Sequence, residues 1–174
     1  MNIKVAAAVA ALAFLLTGCG AGDGNTPDPS PTASAPSEAT LSEWVKAVGV
    51  TEQLTAFSAS MGALGTDLQA VDSQDLKAVA DILSKQGPTI LGVALALASE
   101  PASDDAEYEA LRTTAALTIR AFGKLAVGLA SATDADRLQA VTEATAAMTP
   151  MNSAIKAFGD YIAAHGTETV HPAA

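Results

Sequence analysis

One cysteine, Cys19, in 174 residues excludes an intrachain disulfide, so packing alone must stabilise whatever folds. Aromatic residues are scarce: one Trp, two Tyr and four Phe. β-Branched and aromatic residues are what sheets favour, whereas the 40 alanines favour helices. Basic residues number 9 against 19 acidic ones, a formal charge of −10. That balance argues against nucleic acid, whose phosphates require a basic surface, and against electrostatic adhesion to anionic lipid. Only two histidines occur, His165 and His171. A zinc site needs three or four grouped ligands, and neither that grouping nor a Glu-x-x-His pair for a di-iron bundle is present. No metal ligand and no cofactor are predicted. No Gly-x-Ser-x-Gly elbow and no glycine-rich phosphate loop occur. No catalytic residue is predicted, and the sequence reads as a non-enzyme.

What is there begins at the N-terminus. Residues 1–4 carry one positive charge, Lys4, and residues 5–16 form an apolar run of twelve. Such a run fits a secretory signal and is too short to span a bilayer as a mature helix. Leu16, Thr17, Gly18 and Cys19 follow directly. This passage resembles a bacterial lipoprotein signal peptide with its lipobox, Leu-(Ala/Ser/Thr)-(Gly/Ala)-Cys. The resemblance covers residues 1–19. It implies a signal peptide over 1–18, cleavage before Cys19, and a diacylglyceryl group on the Cys19 thiol, with palmitate-type acylation of the new N-terminus. It places the protein at the cell membrane, lipid-anchored on the extracytoplasmic face, with the membrane as partner through the lipid on Cys19. Each buried methylene contributes about 0.8 kcal/mol, so two chains hold far more firmly than one.

Residues 19–39 hold the lipidated N-terminus and a Pro/Ser/Gly-rich stretch without an apolar period. Their composition predicts a disordered tether. Residues 40–166 are the predicted helical domain, and 167–174 a flexible tail. Thr40 and Glu43 have capping-box spacing. Ala47, Val50, Leu54, Phe57, Met61, Leu64, Leu68 and Val71 then step alternately by three and four, the seam of a packed helix. Asp72 or Ser73 is expected to cap a second helix along Leu76, Val79, Leu83, Gln86, Ile90, Val93 and Leu97, with a kink or break at Pro88. Beyond Pro88 the stretch 89–98 is apolar or small all round, which predicts full burial. Ser103 is expected to cap a third helix along Tyr108, Leu111, Ala115, Thr118, Phe122, Leu125 and Leu129. Thr133 and Asp136 mark a fourth, with Leu138, Val141, Ala144, Met148, Met151, Ile155, Phe158 and Ile162 on its stripe, a kink at Pro150 and a terminus at His165-Gly166.

The predicted fold class is therefore all-α, an up-down-up-down four-helix bundle with Pro-kinked second and fourth helices. The acidic run Asp104, Asp105, Glu107 and Glu109 reads better as charge at a helix N-terminus than as a calcium site. Trp44, Tyr108, Phe158 and Tyr161 fall at one end of such a bundle. They are either an end plug or a ligand or partner patch, since Trp and Tyr join a large apolar body to a polar handle. The functional expectation is a membrane-anchored interaction module of the cell envelope that binds another envelope protein. The alternative is a carrier of a small apolar ligand or lipid in the bundle core.

Overall fold

The computed structural model describes residues 37–173. Residues 1–36, which include the lipobox Leu16, Thr17, Gly18 and Cys19 and most of the predicted tether, lie outside it. The described part is all-α: helix makes up 77% of it, in five α-helices. In chain order the elements are β1 (Ala39–Thr40), α1 (Leu41–Ala47), α2 (Val50–Gln69), α3 (Leu76–Ser99), α4 (Ala106–Gly128), a 3-10 turn (Leu129–Ser131), α5 (Arg137–His165) and β2 (Thr169–Val170).

The helix starts are set by side chains that satisfy free backbone N–H groups. At α1 the capping box forms as the sequence predicts. The Glu43 N–H donates to Thr40 Oγ1 at 3.3 Å, and the Thr40 N–H donates to Glu43 Oε2 at 3.0 Å. That backbone bond also holds the Glu43 carboxyl below its ordinary pKa. The predicted first helix is nevertheless two. Gly49 has φ 87°, a left-handed conformation open to glycine at no steric cost, and it separates α1 from α2. At α3 the cap is Asp75, which accepts the Ala78 N–H at 3.0 Å, in place of Asp72 or Ser73. Asp72 instead accepts the Gln74 N–H at 2.9 Å, forming the turn that delivers Asp75. Asp105, in place of Ser103, caps α4 by accepting the N–H groups of Glu107 and Tyr108. Helix α5 follows Asp136 and ends at His165 with Gly166 beyond it.

Helices α3 and α5 run through Pro88 and Pro150 without interruption. The stripes lie inside. Phe57, Met61 and Leu64 of α2, Leu83, Ile90 and Leu97 of α3, Tyr108, Ile119 and Phe122 of α4, and Met148, Met151 and Phe158 of α5 are buried. Each such side chain contributes about 1.5–3 kcal/mol on leaving water. Contacts give the helix directions. Gly87 lies against Val127 and Gly123 against Leu91, so α3 and α4 are antiparallel. Tyr108 meets Phe158 at a ring distance of 5.4 Å, so α4 and α5 are antiparallel as well.

Three expectations fail for a common reason, that a small or apolar residue is buried only where a neighbour covers it. Ala47 is exposed, and Leu138 is 47% exposed. In the stretch 89–98, Ile90, Val93, Ala94 and Leu97 are buried, yet Leu95 is 55% exposed. The expected flexible tail is also different. Strand β2 pairs antiparallel with β1, Ala39 opposite Val170 and Thr40 opposite Thr169. Pro172 bridges to Ser103, and the Ala173 N–H donates to the Ala102 carbonyl at 2.9 Å. Residues 169–173 therefore strap the chain's first described segment to the α3–α4 loop.

Gly87 carries the closest helix approach. A Cβ there would sit 2.9 Å from the Val127 backbone nitrogen and 2.8 Å from its Cγ2. Helix propensity favours alanine by about 1 kcal/mol, but overpacking against backbone costs about 1–3 kcal/mol. Gly87→Ala is expected to be net destabilising by about 1 kcal/mol, measured by urea unfolding. A stabilised variant would show that the helices slide apart freely.

Candidate functional site

Two places on the molecule stand out. The first is the end where α1, the start of α4 and the end of α5 meet. The Leu41 N–H donates to the Glu168 carbonyl at 2.8 Å and the Ser42 N–H to the Gly166 carbonyl at 3.0 Å, which ties α1 to the end of α5. The structure brings the four aromatic candidates to this end. Trp44, Tyr108 and Phe158 are wholly buried, each 0% exposed, and Tyr161 is partly buried. The Tyr161 hydroxyl donates to Asp105 Oδ2 at 2.9 Å, and its ring stacks on His165 at 4.2 Å. Trp44 Nε1 and the Tyr108 hydroxyl are buried without a hydrogen-bond partner.

Three of the four carboxylates in the acidic run are absorbed by structure. Asp105 caps α4 and receives Tyr161. Asp104 accepts the His171 backbone N–H at 2.8 Å. Glu109 accepts the Ser103 N–H at 2.8 Å through Oε1, and Arg112 Nε at 3.0 Å and Nη2 at 2.6 Å through Oε2. Arg112 Nη1 then donates to the carbonyls of Leu97 at 3.0 Å and Glu100 at 2.9 Å, closing the end of α3. Among the described residues no group of three or more His, Cys, Asp or Glu is placed to hold a metal.

Partial burial, followed by the hydrogen bond to Asp105, pushes the Tyr161 phenol up to about 12 from its ordinary 10.0. Burial also pushes Tyr108 up, offset in part by the Arg112 charge. A phenol whose folded pKa is raised contributes stability that is complete below its unfolded value and is lost as pH rises through the folded one. The fold is therefore expected to weaken from about pH 10 upward. Phenolate absorbance against pH checks this. Both tyrosines titrating at their ordinary value in a still-helical protein would refute it.

The second place is a groove of about 160 Å³ between α3 and α4. Ala98 and Ala116 are among its small residues, Leu95 and Leu117 its large ones, and Arg112 and Arg120 also line it. Leu95 is 55% and Leu117 59% exposed. Stripe reasoning passes over this groove, because Leu95, midway between Val93 and Leu97, and Leu117, one residue before Thr118, both lie off the stripes. A signal was nevertheless present: a bulky aliphatic off the seam on each of two consecutive helices.

Comparison with known proteins finds no matching family, no matching curated protein and no matching solved structure.

Proposed function

We propose that this chain is a bacterial lipoprotein whose Cys19 carries a diacylglyceryl anchor and whose helical domain acts, without catalysis, as an interaction module on the extracytoplasmic face of the cell membrane. The observation that carries the reading is the succession Leu16-Thr17-Gly18-Cys19, after an apolar run of twelve and before a Pro/Ser-rich stretch. Thiolate is the best nucleophile among side chains for a thioether, and small neighbours let the modifying enzymes approach. Leu95 and Leu117, exposed beside one groove, are where contact with another molecule would cover apolar surface. Asp104, Asp105 and Glu109 of the acidic run have structural partners, and Glu107 lies in the first turn of α4, where negative charge is stabilising. A carrier of a small apolar ligand would need room between Phe57, Leu83, Ile90, Ile119 and Phe122, which are all fully buried against one another in the core.

The finer architecture belongs to the same proposal: α1 with α2, then α3, α4 and α5, as an up-down-up-down four-helix bundle bent at Pro88 and Pro150. Proline removes one backbone hydrogen bond and crowds the preceding turn, which favours a bend in a continuous helix.

The test is metabolic labelling with a clickable fatty acid. Wild-type chain is expected to be labelled and to stay with membranes, and Cys19→Ser to be unlabelled and uncleaved. Wild-type protein that is unlabelled and released freely into the medium would refute the anchor. Photo-crosslinkers placed across the domain's surface in intact cells test the interaction reading. Repeated failure to trap any specific neighbour would remove it.

A further inference from the structure

Residues 168–173 lie between two partners. On one side the Leu41 N–H donates to the Glu168 carbonyl, and Ala39 and Thr40 pair with Val170 and Thr169. On the other side the Asp104 N–H donates to the His171 carbonyl at 2.8 Å and the Ala173 N–H to the Ala102 carbonyl at 2.9 Å. The His171 N–H returns to Asp104 Oδ1 at 2.8 Å. The loop side is fixed in turn by the Ser103–Glu109 and Tyr161–Asp105 bonds. The first side carries β1 and α1, a segment bounded at its far end by Gly49.

Two features count against the docked position of that segment. Docking takes Trp44 Nε1 out of water and gives it no acceptor, and a buried donor left without a bond opposes folding. At the joint the Glu100 carboxylate lies against Gly49: a Cβ there would sit 3.4 Å from Oε1. Burial raises the Glu100 pKa, Arg112 lowers it in part and Glu52 adds to the rise, so a carboxylate is kept from water here as well. Gly49, at φ 87°, lets the chain turn without side-chain resistance. Against these stand the buried Leu41, Trp44, Val45 and Val48 and the bonds to residues 166–170. A helix of 7 residues does not persist in water once those are broken.

We propose that β1 and α1 form a separately opening arm hinged at Gly49, and that residues 168–170, held in place by the α3–α4 loop, are the latch that keeps the arm shut. The arm opens as a unit while the rest stays packed, because α2, α3, α4 and α5 pack chiefly on one another. Opening returns Trp44 Nε1 and the Glu100 carboxylate to water. On the lipid-anchor reading it also lengthens the connection to the membrane, since residues 37–49 join it and span at most about 45 Å when extended. That consequence rests on the reading above, whereas the arm and its latch stand on the fold alone.

Hydrogen exchange of the full chain, read by mass spectrometry, tests the arm. Amides 41–48 are expected to exchange on the order of 100-fold faster than those in the middle of α3 and α4, through an opening smaller than global unfolding. Trp44, the one tryptophan, reports on the arm directly. Val170→Asp puts a charge at a site 2% exposed and should release the latch. Trp44 then becomes accessible to acrylamide, while circular dichroism loses no more than the 7 residues of α1. A disulfide does the converse. In a chain with Cys19→Ser, Ala39→Cys/Val170→Cys places thiols on directly opposed residues, a separation that a disulfide spans. Oxidation should slow exchange at 41–48 by at least about tenfold, and reduction should reverse it, a reversal that no general loss of structure can imitate. Arm amides exchanging in step with α3 and α4, Trp44 exposed only together with loss of all helicity, or exchange at 41–48 indifferent to the disulfide would each overturn the latch. None of these measurements depends on lipid, so a failed fatty-acid label would leave them standing.

Discussion

Glu109→Ala is expected to lower folding stability by about 3–5 kcal/mol, the usual result of stranding one partner of a buried ion pair. The side chain of Arg112 is 8% exposed and that of Glu109 20%, so little water is available to replace what is lost. The substitution removes both guanidinium bonds to Oε2 and also the acceptor of the Ser103 N–H, in a residue only 4% exposed. Arg112 would keep the Leu97 and Glu100 carbonyls but carry an uncompensated charge. The double variant Glu109→Leu/Arg112→Met separates the causes. Two apolar residues of similar volume can replace a buried pair at little cost, although the last carbonyls of α3 then lose their donor at about 1 kcal/mol per bond. The double variant should therefore be more stable than the single one. Urea unfolding of both and of wild type decides it. A single-variant loss under about 1 kcal/mol would show that the pair is solvated and weak.

Trp44→Ala is expected to cost a similar amount, about 3–5 kcal/mol. Helix α1 has 7 residues, too few to persist alone in water. It is held by Leu41, Trp44 and Val45, all buried, by the Thr40–Glu43 box, and by backbone bonds to residues 166 and 168. Emptying the Trp44 site removes the largest of these anchors and loosens β1 and β2 with it. Trp44→Phe should behave differently. It keeps most of the apolar volume and removes Nε1, a buried donor without a partner, whose desolvation costs about 1–3 kcal/mol. The phenylalanine variant is expected to stay within about 1.5 kcal/mol of wild type, the range of conservative core exchanges. Since Trp44 is the one tryptophan, unfolding must be followed by circular dichroism. Equal losses in both variants would mean that the indole nitrogen has a partner, such as an internal water.

The helical stripes were legible because burial on a helix repeats every 3.6 residues, so Phe57, Met61, Leu64 and Leu68, or Met148, Met151, Ile155 and Phe158, announce their common face. The Thr40–Glu43 box and the His165-Gly166 terminus were legible because both are local. What escaped was decided by distant neighbours. Asp72, Ser73 and Asp75 can all cap a helix, and the turn made by Asp72 picks the last. Ser103 has the right chemistry for a cap but is drawn to Glu109 and Pro172. Thr169 and Val170 are too short a strand to show alternation, and their partner lies at the other end of the described chain. Leu95 and Leu138 look like core in any composition count. Only the placement of neighbours leaves them in water. Of the candidate sites, the aromatic cluster could be placed from helix register alone. The groove and the Arg112–Glu109 pair needed α3 and α4 side by side.

The ladder of β1 and β2 holds Ala39 against Val170, so the described polypeptide finishes where it starts. A linker of a few residues between positions 173 and 37 could close it into a ring. Fresh ends could then be cut in the exposed turn at residues 133–135, and all five helices would keep their present neighbours. A permuted gene of that kind would begin and end at the opposite pole of the domain, so any anchor fused to its first residue would hold the molecule the other way up.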